Sequence, residues 1–150
     1  MVWFQRLILF ATFLTLCVVV FGAYVRLTDA GLGCPDWPGC FGTLTVPESE
    51  VAIIEAQSLY PESIVEVGKA WREMIHRYLA GILGLLILLI SFVSYKIRHD
   101  LKVKIILPFF ILALVMFQAT LGMWTVTMLL KPAIVTAHLM GGMTILALLT

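Results

Sequence analysis

Four long apolar stretches, separated by polar connections, dominate the chain. They occupy residues 7–25, 71–95, 105–128 and 133–150, and about 20 mostly apolar residues are enough for a helix to cross a bilayer. The third stretch has Gln118 as its only strongly polar side chain. Because the stretches are apolar around their whole circumference, the pattern predicts helices that face lipid. We therefore predict an all-α membrane protein with an antiparallel four-helix transmembrane bundle.

The composition excludes an ordinary water-soluble domain. Hydrophobic residues make up 61% of the chain and charged residues 13%, whereas soluble domains have about 45–50% and about 25%. The same hydrophobicity excludes a disordered chain, since disorder requires few apolar residues and a high net charge. The net charge of +1 shows no basic excess, so no nucleic acid partner is expected.

Basic residues collect on one side of the predicted bundle. The connection 96–104 holds four basic residues against one acidic residue, and Arg6 precedes the first stretch. The segment 26–73 instead holds three basic and eight acidic residues. Because short cytoplasmic loops are enriched in lysine and arginine, we predict a cytoplasmic amino terminus and a long extracytoplasmic loop over residues 26–70.

Residues 1–25 also allow a second interpretation, a signal peptide that is cleaved after Ala23. The apolar run of 19 residues over 7–25 is longer than the about 7–15 residues typical of a signal peptide. We therefore expect this segment to be retained as the first span.

The outer loop contains two cysteines, Cys34 and Cys40. Two prolines and a glycine between them bend the chain, which favours a disulfide bond within the loop in an oxidising compartment. A thiol pair in redox exchange and a metal site are the alternatives, although the loop lacks further cysteine or histidine ligands. Farther along, residues 46–67 mix acidic and apolar positions, which suggests a short amphipathic helix or a solvated connector. Ser49 offers no complete capping box for such a helix.

Two histidines fall within the predicted spans at similar depth. His76 lies 20 residues from Lys96, hence about 30 Å from the cytoplasmic end, and His138 lies seven residues after Lys131, hence about 10 Å inward from the outer surface. Two imidazoles on different helices are what a bis-histidine haem requires. Separate hydrogen-bonded histidines and another metal are the alternatives. Small residues that leave room for a flat macrocycle, or that serve helix packing, are Gly81, Gly84, Gly141 and Gly142.

Charged residues border the same region. Glu73 precedes His76 by three residues, so the two side chains share one helix face. The carboxylate suits proton transfer, or it forms an ion pair with Arg77 four residues later. Arg26 and Arg77 are candidates for binding haem propionates, or they reach toward lipid phosphates.

Three motifs resemble a known family. They are GAYVRLTDAGLGCPDWPGC at 22–40, WREMIHR at 71–77, and QATLGMWTVTMLLKP at 118–132 followed by TAH at 136–138. Together they resemble the haem A synthase family, and the similarity covers nearly all of the 150 residues. The resemblance implies an oxidoreductase that converts haem O to haem A, by oxidising a porphyrin methyl group to a formyl group, for terminal oxidases.

The resemblance also implies roles for individual residues. His76 and His138 match the axial ligands that hold the substrate haem O, and Glu73 matches the glutamate that is essential for catalysis. Cys34 and Cys40 match the cysteine pair of the first outer loop. The implied partners are the lipid bilayer of a bacterial inner membrane, haem O synthase, and an electron donor or acceptor.

The chain departs from the family pattern in length. The usual member has eight spans in two similar halves, and its carboxy-terminal half holds haem b. Because that half is absent from these 150 residues, we expect a fragment. A half-length member that pairs as a homo-oligomer is the alternative.

Two other functions compete with this interpretation. A bis-histidine membrane cytochrome b that only transfers electrons would explain His76 and His138, but it would give Glu73 and the cysteine loop no task. A non-catalytic assembly factor or transporter would leave both histidines unexplained.

Overall fold

The computed structural model describes residues 2–101 and 105–150. Within these ranges the regular structure is helical, with one isolated bridge between Cys40 and Thr43 and no strand. Residues 102–104 of the predicted basic connection lie outside the described residues. The helices are α1 (Val2–Leu27), α2 (Glu50–Leu59), α3 (Val67–Leu101), α4 (Ile106–Thr127) and α5 (Pro132–Leu149).

Four of the five helices, α1, α3, α4 and α5, are long and apolar enough to cross a membrane. This confirms the prediction of an all-helical chain with four candidate membrane-spanning helices. The helix α3 is longer than the predicted span because it begins with the polar segment from Val67 onward. As predicted, Glu73, His76 and Arg77 lie on this one helix.

Each spanning helix packs against two others. Contacts join α1 to α3 and α5, and they join α4 to the same two helices. The centre of the bundle is apolar, as expected for a chain that has no polar face to bury. Its buried residues are Phe4, Ala11, Leu83, Ile87, Ile90, Ile111 and Ile145.

A tight turn joins α4 to α5 and fixes the start of the last helix. Leu129 and Leu130 adopt left-handed backbone conformations, with φ of 50° and 55°, and the amide of Leu130 donates to the carbonyl of Thr125 at 2.8 Å. Pro132 then occupies the first turn of α5, where a missing N–H costs no hydrogen bond. The turn thus sets His138 two turns into α5.

The segment between α1 and α3 forms a second, smaller core. The hydroxyl of Ser49 accepts a hydrogen bond from the amide of Ala52 at 3.2 Å, so α2 has a side-chain N-cap without a full capping box. This helix is shorter than the mixed stretch 46–67. The buried residues that join the loop, α2 and α3 are Cys34, Cys40, Phe41, Val46, Ala56, Ala70 and Met74.

Candidate functional site: two imidazoles and a clamped carboxylate

The imidazole of His76 lies directly against the backbone of α1. A Cβ atom placed on Gly22 would come within 2.7 Å of Cε1 and 3.2 Å of Nε2 of His76. Such separations are too short for any side chain, so glycine at this position leaves the space that the ring occupies. The position of His76 therefore depends on a residue from a different helix.

His138 repeats this arrangement on the other pair of helices. A Cβ atom on Gly122 of α4 would lie 3.3 Å from Cε1 of His138. The side-chain amide of Gln118, one turn earlier on α4, donates to the backbone carbonyl of His138 at 2.6 Å. A glycine and an amide of α4 thus hold the turn of α5 that presents the second imidazole.

Each of the two imidazoles lacks a partner for one nitrogen. In the described part of the chain Nδ1 of both His76 and His138 is buried without a hydrogen-bond partner. Buried polar atoms are normally hydrogen-bonded, and an exception calls for an explanation such as a ligand or ion. Two such rings from α3 and α5 fit axial ligation of a metal.

The number of ligands favours a macrocycle over a bare ion. Residues 2–98 and 105–150 contain no group of three or more His, Cys, Asp or Glu side chains that could hold a metal. Two imidazoles suffice only where another molecule supplies the remaining ligands, as the porphyrin does in haem. The donor set at His76 and His138 therefore fits haem.

Glu73 is buried, and both of its carboxylate oxygens are engaged. The residue is 4% exposed. Oε2 accepts a hydrogen bond from the amide of Cys34 at 3.0 Å, and Oε1 forms an ion pair with Nη2 of Arg77. The ion pair expected from the spacing is present, and the loop amide adds a contact that connects Glu73 to the segment after α1.

The guanidinium of Arg77 binds the disulfide loop as well as Glu73. Its Nη1 donates to the backbone carbonyls of Asp36 at 3.0 Å and Pro38 at 3.2 Å, and to that of Gly39. One cation therefore links the carboxylate of Glu73 to the loop.

The loop itself is closed and fixed to α3. Cys34 and Cys40 form a disulfide bond, as predicted, and the carboxylate of Asp36 accepts from the amides of Phe41 at 2.6 Å and Gly42 at 2.9 Å. A Cβ atom on Gly33 would lie 2.6 Å from the backbone of α3 at its first turn. The loop therefore packs against the helix that presents Glu73 and His76.

Arg26 has a different environment from Arg77. It pairs with Asp29 at 3.6 Å, and both side chains are more than half exposed. Surface pairs of this kind contribute about 0–1 kcal/mol. The structure thus brings Arg77 into the Glu73 cluster and leaves Arg26 in a weak pair at the end of α1.

Comparison with known proteins places these residues in a family. Residues 5–150 match the model of the COX15-CtaA family, which is described as cytochrome oxidase assembly protein. The chain belongs to the COX15-CtaA family. Together with the four apolar helices, membership identifies a multi-pass membrane protein.

Curated relatives in this family are longer than the chain. It is 55% identical over 135 residues to a haem A synthase of Shewanella oneidensis, covering 90% of this chain and 40% of the relative. It is 33% identical over 104 residues to the haem A synthase of Exiguobacterium sibiricum, covering 67% of this chain and 29% of the relative. The chain therefore spans 29% to 40% of the length of these two relatives. No solved structure matches the chain.

Three site residues of this COX15-CtaA chain were not identified from sequence. Gly22 and Gly122 were missed because a glycine inside an apolar span reads as ordinary helix packing. Gln118 carried a signal, since a polar side chain within a span is a functional candidate. Two of the small residues that were predicted to leave room for a macrocycle have different surroundings. A Cβ atom added at Gly141 would contact Oε1 of Gln118, whereas a Cβ atom added at Gly81 would have no atom within 4 Å.

Proposed function

We propose that this chain forms the substrate-haem half of a haem A synthase, which oxidises a methyl group of haem O to a formyl group and supplies haem A to terminal oxidases. The observation that supports this function is the pair of imidazoles on α3 and α5, each with a buried, unpartnered Nδ1 among the described residues. The curated relatives that the chain matches are named haem A synthases.

His76 and His138 would hold the iron of haem O through their imidazole nitrogens. When bound, the haem supplies a redox-active iron and the methyl group that is oxidised. The role of the two histidines is then to fix the orientation of the porphyrin edge. Gly22 and Gly122 would support that role by letting each ring pack against a neighbouring helix.

Glu73 is the proposed catalytic residue. It stands one turn before His76 on α3 and is buried, so it would face the edge of a macrocycle held by that histidine. Oxidation of a methyl carbon removes hydrogen from it, and a carboxylate there can accept a proton or stabilise positive charge as it develops.

Of the two arginines that were predicted to bind the haem propionates, Arg26 remains the proposed partner. A guanidinium can bind a carboxylate through two parallel hydrogen bonds. Arg26 is the freer of the two, because its pair with Asp29 is exposed, while Nη1 and Nη2 of Arg77 already bind loop carbonyls and Glu73.

The proposed topology is an antiparallel bundle in a bacterial inner membrane. The spans would cover residues 7–25, 71–95, 105–128 and 133–150, and the loop 26–70 would be extracytoplasmic with the haem pocket on that side. The support is the charge distribution, since basic residues gather at Arg6 and in 96–104 while acidic residues predominate in the loop.

The proposed partners follow from the substrate and the reaction. Haem O is poorly soluble in water, so direct delivery by haem O synthase within the bilayer fits a site between membrane-spanning helices. Converting a methyl group to a formyl group removes electrons and adds an oxygen atom, so the reaction needs either water together with an electron acceptor or dioxygen together with an electron donor. We propose that haem b binds in a second four-span unit. Either a longer chain contains that unit, or a second copy of this chain takes its place.

The test is to express the full-length protein together with a haem O source and to analyse extracted haem by mass spectrometry. Production of haem A supports the enzyme, and bound haem without conversion under competent electron supply would favour an electron-carrying cytochrome b. Glu73→Ala should retain haem and lose conversion. Its matched control is Glu66→Ala, because Glu66 pairs with Lys69 at the surface, and this variant should convert haem O normally.

A further inference from the structure

We propose that Arg77 is a positioning residue that fixes the carboxylate of Glu73 by anchoring it to the disulfide loop. This inference rests on the proposed function, because it assigns Arg77 a role that acts through Glu73.

The first argument is the distribution of hydrogen bonds around one guanidinium. Nη2 faces Glu73 and Nη1 faces the loop carbonyls of Asp36 and Pro38 at 3.0 and 3.2 Å, and that of Gly39. An arginine presents five donors in a rigid plane, so its two ends cannot move independently. A displacement of the loop therefore moves the donor that binds Glu73.

The second argument is that the same loop binds Glu73 directly. The amide of Cys34 donates to Oε2, while Arg77 engages Oε1. The disulfide-closed ring Cys34–Cys40 thus holds Oε2 directly, and it holds Oε1 through Arg77, which binds carbonyls of that ring. A carboxylate fixed at both oxygens has one orientation, which is what a group acting on a single methyl carbon requires.

The third argument is burial. The side chains of Arg77 and Glu73 are 12% and 6% exposed, so removing the cation would leave a buried carboxylate without its charge partner. Breaking such a pair by removing one member is far costlier than losing a surface pair. Lysine would not restore the arrangement, because an ammonium is a point charge and lacks the planar fork that reaches both ends.

The experiment compares Arg77→Met, Arg77→Lys and Arg72→Met in the full-length protein in membranes. Arg72 is the matched control, since it lies on the same helix and its Nε binds the carbonyl of Gly68 one turn earlier.

The first measurement needs no haem. It is the rate at which dithiothreitol reduces the Cys34–Cys40 bond, followed by maleimide gel shift. Both cysteines are fully buried, so reduction reports opening of the loop. We expect dithiothreitol to reduce the disulfide bond of Arg77→Met at least roughly threefold faster than that of wild type. The disulfide bond of Arg72→Met should be reduced at the wild-type rate.

The second measurement is haem O conversion. Arg77→Met should retain bound haem and its optical spectrum, with kcat lowered roughly tenfold or more and KM within about twofold, because misplacing one catalytic group by a small distance costs that much. Arg77→Lys should fall between Arg77→Met and wild type. If Arg77→Met fails to accumulate, Arg77→Lys takes its place as the test variant. Conversion of haem O at the full wild-type rate in Arg77→Lys would overturn the proposal.

Two further outcomes would overturn it. Arg77→Met could match Arg72→Met in both measurements, or it could lose its haem, which would make Arg77 a haem-binding residue. If wild type converts no haem O, the proposed function fails, and the reduction rates still decide whether Arg77 anchors the loop.

Discussion

The side-chain amide of Gln118 donates a hydrogen bond to the backbone carbonyl of His138, with an N···O distance of 2.6 Å. This bond joins α4 to α5 at the turn that presents the imidazole. The amide fits there because Gly141 has no side chain: a Cβ atom at that position would lie 2.5 Å from Oε1 of Gln118. The second histidine is therefore held through its backbone by a residue on another helix.

Replacing Gln118 with leucine should loosen the attachment of His138. The variant keeps the volume and loses a hydrogen bond that contributes about 1 kcal/mol, so haem retention in detergent should fall roughly fivefold, with a shifted optical spectrum. The control is Thr120→Val on the same helix, because its hydroxyl binds only the Met116 carbonyl one turn earlier in the described structure. Equal haem retention in the two variants would show that the bond does not hold the ligand.

Replacing Gly22 with alanine should displace His76. The added methyl group would meet Cε1 at 2.7 Å, which forces the ring or α1 to move, and overpacking of this kind costs about 1–3 kcal/mol. We expect haem content to fall roughly tenfold in purified protein, as measured by the pyridine haemochrome assay. Gly122→Ala, with a separation of 3.3 Å, should have a smaller effect in the same direction.

Gly68→Ala is the matched control for this prediction. It is a glycine of α3 whose added Cβ would have only Nη2 of Arg72 within 4 Å, at 3.9 Å, so it should bind haem as wild type does. Loss of haem in Gly68→Ala, or wild-type content in Gly22→Ala, would contradict the packing of His76 against α1.

Removing the disulfide should destabilise the segment between α1 and α3 while leaving the four spanning helices folded. Closing a short loop by a disulfide contributes about 2 kcal/mol, so Cys34→Ser/Cys40→Ser should be cleaved faster than wild type by a glutamate-specific protease, which has sites in this segment at Glu48 and Glu50. Cys17→Ser is the control, because Cys17 is a free cysteine of α1. Equal cleavage rates in the two variants would mean that packing alone holds the loop.

The segment between α1 and α3 should lose stability at high pH through Tyr60. Burial, and secondly the neighbouring Asp36, raise the pKa of Tyr60 above 10.0. Since the folded form holds the phenolic proton more tightly than the unfolded form, this contribution is fully present below pH 10 and is lost as the pH rises through the higher folded pKa. Thermal unfolding of Tyr60→Phe should therefore show a weaker decline between pH 9 and 11 than that of Tyr24→Phe. An equally steep decline in the two variants would show that Tyr60 does not cause the loss of stability at high pH.

Features determined by nearby residues were predictable from the sequence. The four spanning helices follow from the length of apolar runs, and the Cys34–Cys40 bond follows from a short loop bent by prolines. The pairing of Glu73 with Arg77 follows from helical spacing. In contrast, the contacts of His76 with Gly22 and of Glu73 with the Cys34 amide depend on which helices are neighbours, and no local pattern specifies that.

The extent of the amphipathic stretch shows the same limit at smaller scale. The mixed pattern over 46–67 did not define where the helix begins and ends. In the structure Ser49 caps α2, and the helix ends before Tyr60, next to Pro61. A single hydroxyl and a proline thus decided the boundaries, with packing of Ala56 into the small core adding to them.

The order of the contributing residues along the chain has a consequence for biogenesis. The contacts that hold Glu73 draw on residues from Cys34 to Arg77, so they can form once α3 has entered the membrane beside α1. The imidazole pair needs α4 and α5 as well, since His138 rests on Gly122 and Gln118. During synthesis from the amino terminus, the contacts around Glu73 can therefore form before those around His138.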